Sequence, residues 1–127
     1  MEENEKNATS VPSPEEFMRW WNSAPFCFTV EFDAEKAAER GWSEEALLAQ
    51  VDVDASRYGM TRTDWNRWDA LIDDMQEKQS AYHSTLLYLS MKKWFMETVD
   101  VWVAYSNESP RGYDMIDLCR RRPLKTY

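Results

Sequence analysis

Glycine, histidine and cysteine are all scarce in this chain: three, one and two among 127 residues. Isolated glycines at 41, 59 and 112 cannot build a phosphate-cradling loop, and each is expected to mark a backbone turn. The single histidine, His83, has Ser80 three residues before it, so the Glu-x-x-His pairs of a di-metal bundle are missing. Cys27 and Cys119 are far apart and form no CxxC, which fits buried thiols in a reducing cytoplasm. Long apolar runs are absent as well. The longest, such as Leu86 to Leu89, fall far short of a membrane span, and the first ten residues are acidic where a secretory signal would be basic and then apolar. The expectation is a cytoplasmic protein that uses no cofactor and no metal and avoids the membrane.

Aromatic side chains are abundant instead: seven Trp, six Tyr and five Phe, within an apolar content of 43%. That content is ordinary for a globular protein and suffices for one core. The aromatics serve as core filling, or some of them anchor a protein-binding surface, where Trp and Tyr are enriched. Net charge is −8 and unevenly placed. Residues 1–60 hold 13 Asp/Glu against 5 Lys/Arg, whereas residues 61–127 hold 10 of each. Such a chain repels nucleic acid over most of its surface. One-sided acidity confers solubility, and it also suits a basic protein partner.

Along the chain, residues 1–12 read as a disordered lead-in and 13–127 as a single globular domain. Ser13, Pro14 and Glu16 form a helix start with a capping box, followed by an apolar stripe at Phe17, Trp20 and Trp21. Phe26, Phe28, Val30 and Phe32 alternate with Cys27, Thr29 and Glu31, which predicts a half-buried strand over 26–32. Asp33 caps a short helix that ends at Gly41, and Ser43 caps another beginning at Glu44. Eight of ten positions spaced alternately by three and four from Trp65 to Met96 are apolar, which predicts one amphipathic helix over about 63–97, about nine turns long. A stripe of that length is buried either by shorter elements or by a second copy, so a homodimer through this helix is one expectation. The alternation of Val99, Val101, Val103 and Tyr105 predicts a strand over 99–105, with continuation of the long helix to Tyr105 as the rival, and 113–119 reads as a third, returning strand or as a short helix. The fold class expected is therefore helix-dominated α+β: one long helix and several short ones packed with a small antiparallel sheet. The tail Arg120-Arg121-Arg122-Pro123-Leu124-Lys125-Thr126-Tyr127 is basic and reads as exposed.

Residues 51–68 carry the densest motif signals. Asp52, Asp54 and Ser56 are spaced like the first ligands of a calcium loop. Arg57 then occupies the sixth position, which needs Gly, and Thr63 the twelfth, which needs Glu, so calcium is excluded there. The same segment resembles a helix-turn-helix: Ala55 four residues before Gly59, and Trp65 and Trp68 six and nine after it. That resemblance implies a DNA-binding regulator in which Arg62, Thr63, Asn66 and Arg67 project outward to bases and phosphates. Asp54 departs from the pattern, and Asp52, Asp64 and Asp69 would lie unfavourably near phosphates. Any two helices packed across a tight turn share this spacing. Asp69, Asp73 and Glu77 at i, i+4 and i+8 read as a solvated helix face. Ser80 and Ser84 flank His83 without the strained turn of a nucleophile, so no catalytic constellation is recognised.

The reading that follows is a non-catalytic small acidic protein that binds a macromolecule stoichiometrically, as adaptor, regulator or inhibitor. At the level of class, small acidic proteins of mobile elements that block host enzymes share its size and charge. The residues assigned to a basic protein partner are Glu35, Glu39, Glu44 and Glu45, with Trp42 expected exposed beside them. The helix-turn-helix regulator is the second reading.

Overall fold

The period-two alternation around Phe28 does produce a strand, and that strand is the centre of the fold. In the computed structural model, which describes residues 13–16 and 25–127, β1 (Cys27–Phe32) has a partner on each side. The other strands are β2 (Thr61–Asp64), β3 (Arg67–Asp69), β4 (Val99–Tyr105) and β5 (Tyr113–Asp114). They form one antiparallel sheet in the order β2-β3-β1-β4-β5. Helices α1 (Ala34–Glu39), α2 (Glu44–Arg57), α3 (Met75–Ser90), α4 (Lys93–Met96) and α5 (Met115–Arg121) lie between and after the strands. Mixed α+β is thus the class observed.

Register explains which side chains meet. Phe28 lies opposite Trp68 of β3 and Ala104 of β4, so all three share one sheet face, and all are buried. Val30 pairs with Trp102, extending that face. Leu47, Leu48, Val51 and Ala55 of α2 and Tyr82, Leu86 and Leu89 of α3 join the same core. On β4 the buried positions are Val99, Trp102 and Ala104 rather than a strict alternation from Val99. A register shift between Glu31 and Phe32 accounts for this, because one extra residue reverses the facing of everything beyond it.

Helix starts follow local chemistry. Asp33, Ser43, Asp74 and Asp114 each accept a hydrogen bond from the backbone N–H three residues on, at 2.9–3.1 Å. Each satisfies a donor that the first helical turn leaves unpaired. Ser13 and Glu16 exchange the two reciprocal bonds of a capping box, both 3.1 Å. The stripe at Phe17, Trp20 and Trp21, and the lead-in at 1–12, lie outside the described residues.

The helix expected over 63–97 is corrected by the structure. Thr61 to Asp69 form the β2–β3 hairpin, a loop follows, α3 begins only at Met75, and α4 is separate. At the hairpin tip, the Asp64 carboxylate accepts from the Trp65 N–H at 2.7 Å, and Asn66 bonds to the backbone of Val30 through both its side chain and its carbonyl. Local side-chain bonds of this kind compete with helix formation, and β-branched Thr61 and Thr63 favour a strand. The apolar stripe itself is real within α3, where Tyr82, Leu86 and Leu89 are buried. The break after α3 is closed by the tail: Tyr127 donates to the Met91 carbonyl (2.8 Å) and accepts from the Lys93 N–H (2.9 Å). With the long helix gone, a homodimer through it has no basis. Residues 113–119, left open between strand and short helix, hold both: Tyr113 and Asp114 form β5, and the Asp114 cap then starts α5.

Candidate functional site

Helix α1 and the start of α2 meet at a corner around Gly41, which adopts a positive φ of 76°. The Asp33 and Ser43 caps fix both helix starts on either side of this short turn. Glu39 at the end of α1 and Glu44 and Glu45 in the first turn of α2 flank it, with Glu35 in the first turn of α1, and all four are exposed. Glu39 lies 3.8 Å from Arg40, whose Nε is bound to Glu97 at 2.9 Å, and Lys93 approaches the same Glu97 at 3.9 Å. Glu35, Glu44 and Glu45 have no ion-pair partner among the described residues. Their field therefore points to solvent with little internal compensation.

Trp42 is not the exposed anchor expected of it. Its ring is half-buried and packs on Trp94, with centroids 5.9 Å apart and planes tilted by 33°. The outward tryptophan is Trp65 at the β2–β3 turn, 54% exposed. An apolar stripe that starts at Trp65 implies a core-facing side chain there, but the hairpin turns it outward, and periodicity does not distinguish helix from hairpin in so short a stretch.

The helix-turn-helix geometry is absent, since a β-hairpin stands where the second helix would be. The four residues assigned to DNA are engaged within the sheet, three in the hairpin itself and Asn66 with β1. Arg62 donates to the Trp65 carbonyl and lies 5.4 Å from the Trp68 ring centroid. Arg67 grips Asp69 with two bonds at 2.8 and 3.1 Å, and the Thr63 hydroxyl donates to the same carboxylate at 2.5 Å. Asn66 donates to Val30 at 3.0 Å. Burial pushes the Asp69 carboxyl up, but the bonds from Arg67 and Thr63 outweigh it and hold the group below its usual range.

The other acidic groups are dispersed. Asp69 is in β3, Asp73 in the following bend and Glu77 in the first turn of α3, so they do not form one helical face. Asp52 accepts from the Trp68 indole N–H at 3.0 Å, and Asp54, 1% exposed, is held by Gln50 at 3.2 Å and Arg57 at 3.4 Å. Both carboxylates of the apparent calcium spacing are thus used in packing. His83 is exposed, with its ring edge against Tyr82 at 5.1 Å.

Cys27 is buried, and burial raises its thiol to about 11, assisted by the nearby Asp69 charge. Cys119 is partly accessible, its thiol also raised by burial. At neutral pH, a thiol reagent is expected to modify Cys119 first and to reach Cys27 only upon unfolding, readable by mass spectrometry of partially labelled protein. Because the folded Cys27 holds its proton more tightly than the unfolded thiol, its contribution to stability is complete below pH 9 and is lost as the pH rises towards 11.

No helix of the described residues is long and apolar enough to cross a membrane. No protein-family model matches the chain, and no curated protein or solved structure is significantly similar to it.

Proposed function

We propose that the protein acts without catalysis, by stoichiometric binding of a basic protein partner through the corner formed by α1, Gly41, Trp42 and the start of α2. The observation that supports this is the set of exposed carboxylates at Glu35, Glu44 and Glu45, uncompensated among the described residues, with Glu39 beside them. Surface charge of one sign steers a complementary partner and sets the register of docking. The half-buried Trp42–Trp94 pair adds apolar area at the edge of this patch. An adaptor, a regulator and a stoichiometric inhibitor all use such a surface, and the size and acidity are those of the small inhibitors that mobile elements direct at host enzymes.

The test replaces Glu35, Glu39, Glu44 and Glu45 together with glutamine. All four are exposed, so the fold is expected to survive, as circular dichroism would verify. If each charge contributes about 0.5 kcal/mol, the four together weaken partner binding roughly thirtyfold. Affinity capture from lysate at low and high salt would then show basic proteins retained by the native chain at low salt and lost with the variant. Identical capture by both chains would sink the proposal.

A further inference from the structure

A second surface of opposite sign lies along the C-terminal half of α3, α5 and the chain after it. Two adjoining hollows of about 250 and 240 Å³ open there and share Ser90, Cys119 and Leu124 as walls. Leu86, Met115 and Leu118 line one, and Met96 and Ile116 line the other. Leu87 and Leu124 stand 55% and 48% exposed at this groove. Apolar area left open in one place is the mark of a surface that another molecule covers. Both hollows are open to solvent, unlike the concave sites that enclose most of a small ligand. Two shallow hollows in a row instead fit successive apolar anchors of a helix laid along the groove, spaced at i, i+3, i+4 and i+7.

The rim decides which helix. Arg120 lines one hollow and Arg122 the other, and no Asp or Glu lines either. The intervening Arg121 is occupied by Asp117 at 3.0 Å and by the Tyr113 hydroxyl at 3.3 Å. Arg120 and Arg122 form no ion pair among the described residues. Residues 111–127 hold five Lys/Arg against two Asp, in a chain whose net charge is −8. A cationic edge preserved beside exposed leucines complements a ligand that is apolar on one face and anionic at its margins.

We infer that this groove docks an acidic amphipathic helix of a partner protein, with its apolar side chains in the two hollows and its carboxylates on Arg120 and Arg122. The inference uses none of the residues of the acidic corner. Taken with that corner, it makes the chain a two-sided adaptor that joins a basic partner to an acidic one.

The experiment titrates the full chain with fluorescent peptides of about four helical turns, carrying leucine anchors flanked either by glutamates or, in a matched control, by lysines. The acidic peptide is expected to raise anisotropy saturably while the lysine peptide does not. Arg120→Glu with Arg122→Glu is expected to weaken the acidic peptide about tenfold or more and to admit the lysine peptide, a reversal that unfolding cannot produce. Leu87→Ser with Leu124→Ser, both at exposed positions, is expected to weaken the acidic peptide by a similar factor. The four glutamine replacements at the acidic corner are expected to leave peptide affinity unchanged, so failure of one reading is separable from failure of the other. Absence of acidic-peptide binding, or equal binding of both peptides, overturns the inference. Recruitment to phosphatidylglycerol vesicles without peptide binding overturns it in favour of a membrane surface.

Discussion

Trp68→Ala is expected to destabilise the protein by about 3–5 kcal/mol, the range for removing a large aromatic from a close-packed interior. Trp68 is fully buried, and its ring stacks on Phe28 with centroids 5.4 Å apart and planes 14° from parallel. The contact joins β3 to the central strand at the register pair that holds the hairpin in the sheet. Its indole N–H is also the donor that Asp52 accepts, so truncation leaves a half-buried carboxylate without that partner. In urea, with a slope of about 1–3 kcal/mol/M for a protein of this size, the midpoint is expected to fall by about 1 M or more. Trp65→Ala is the control. Its side chain projects from the hairpin tip into solvent, and the change is expected to stay within about 0.5 kcal/mol. Equal losses in the two variants would show that the hairpin is not anchored as described.

Gly112→Ala is expected to cost about 2–5 kcal/mol, from two sources that add. The residue has φ = 98°, a left-handed conformation that costs other residues about 1–2 kcal/mol. An added Cβ would also meet Val103 Cγ1 at 2.6 Å and Tyr105 Cε1 at 2.9 Å, both on β4. Relieving such contacts shifts strand or side chain, at about 1–3 kcal/mol. Gly41→Ala separates the terms, because Gly41 also has positive φ but would place its Cβ with nothing within 4 Å. Only the conformational cost of about 1–2 kcal/mol is expected there. Urea midpoints measured in parallel check the difference. If the two alanines cost the same, Gly112 is not packed against β4. The β4–β5 pairing is short, at Val103 with Asp114 and Ala104 with Tyr113, so the damage is expected to spread into α5 and the groove.

Strands at 26–32 and 99–105 were legible in the sequence because alternation and β-branched residues act over one segment, with no need to know the partner. Side-chain caps at Asp33 and Ser43 were legible for the same reason. The hairpin was not, because Trp65, Trp68 and Ile72 continue by coincidence the spacing that Met75, Tyr82, Leu86 and Leu89 carry within α3. A local signal against the long helix did exist: Asp74 caps with Glu77 three residues later, the signature of a helix start in the middle of the supposed helix. The acidic surplus was readable by counting residues, and Glu35, Glu39, Glu44 and Glu45 stand exposed in the fold. The half-burial of Trp42 was not readable, since its partner Trp94 lies more than fifty residues away. The groove was hidden for a comparable reason. Leu87 and Leu124 look in sequence like ordinary core residues, and only the placement of α5 against α3 leaves them facing outward.

The sheet order also governs how the chain is made. β1 is the centre of the sheet, yet its neighbours are β3 and β4, so Cys27 pairs first with Asp69 and then with Tyr105. During synthesis, a strand carrying Phe28, Val30 and Phe32 therefore emerges with both hydrogen-bonding edges open, and the second stays open until residues 99–105 have been translated. The β2–β3 hairpin and α3 are local and form on their own timescale, but closure of the central ladder waits for the largest loop. An apolar strand held open that long is the part of the molecule most exposed to mispairing with other nascent chains, and to chaperones that recognise extended hydrophobic segments.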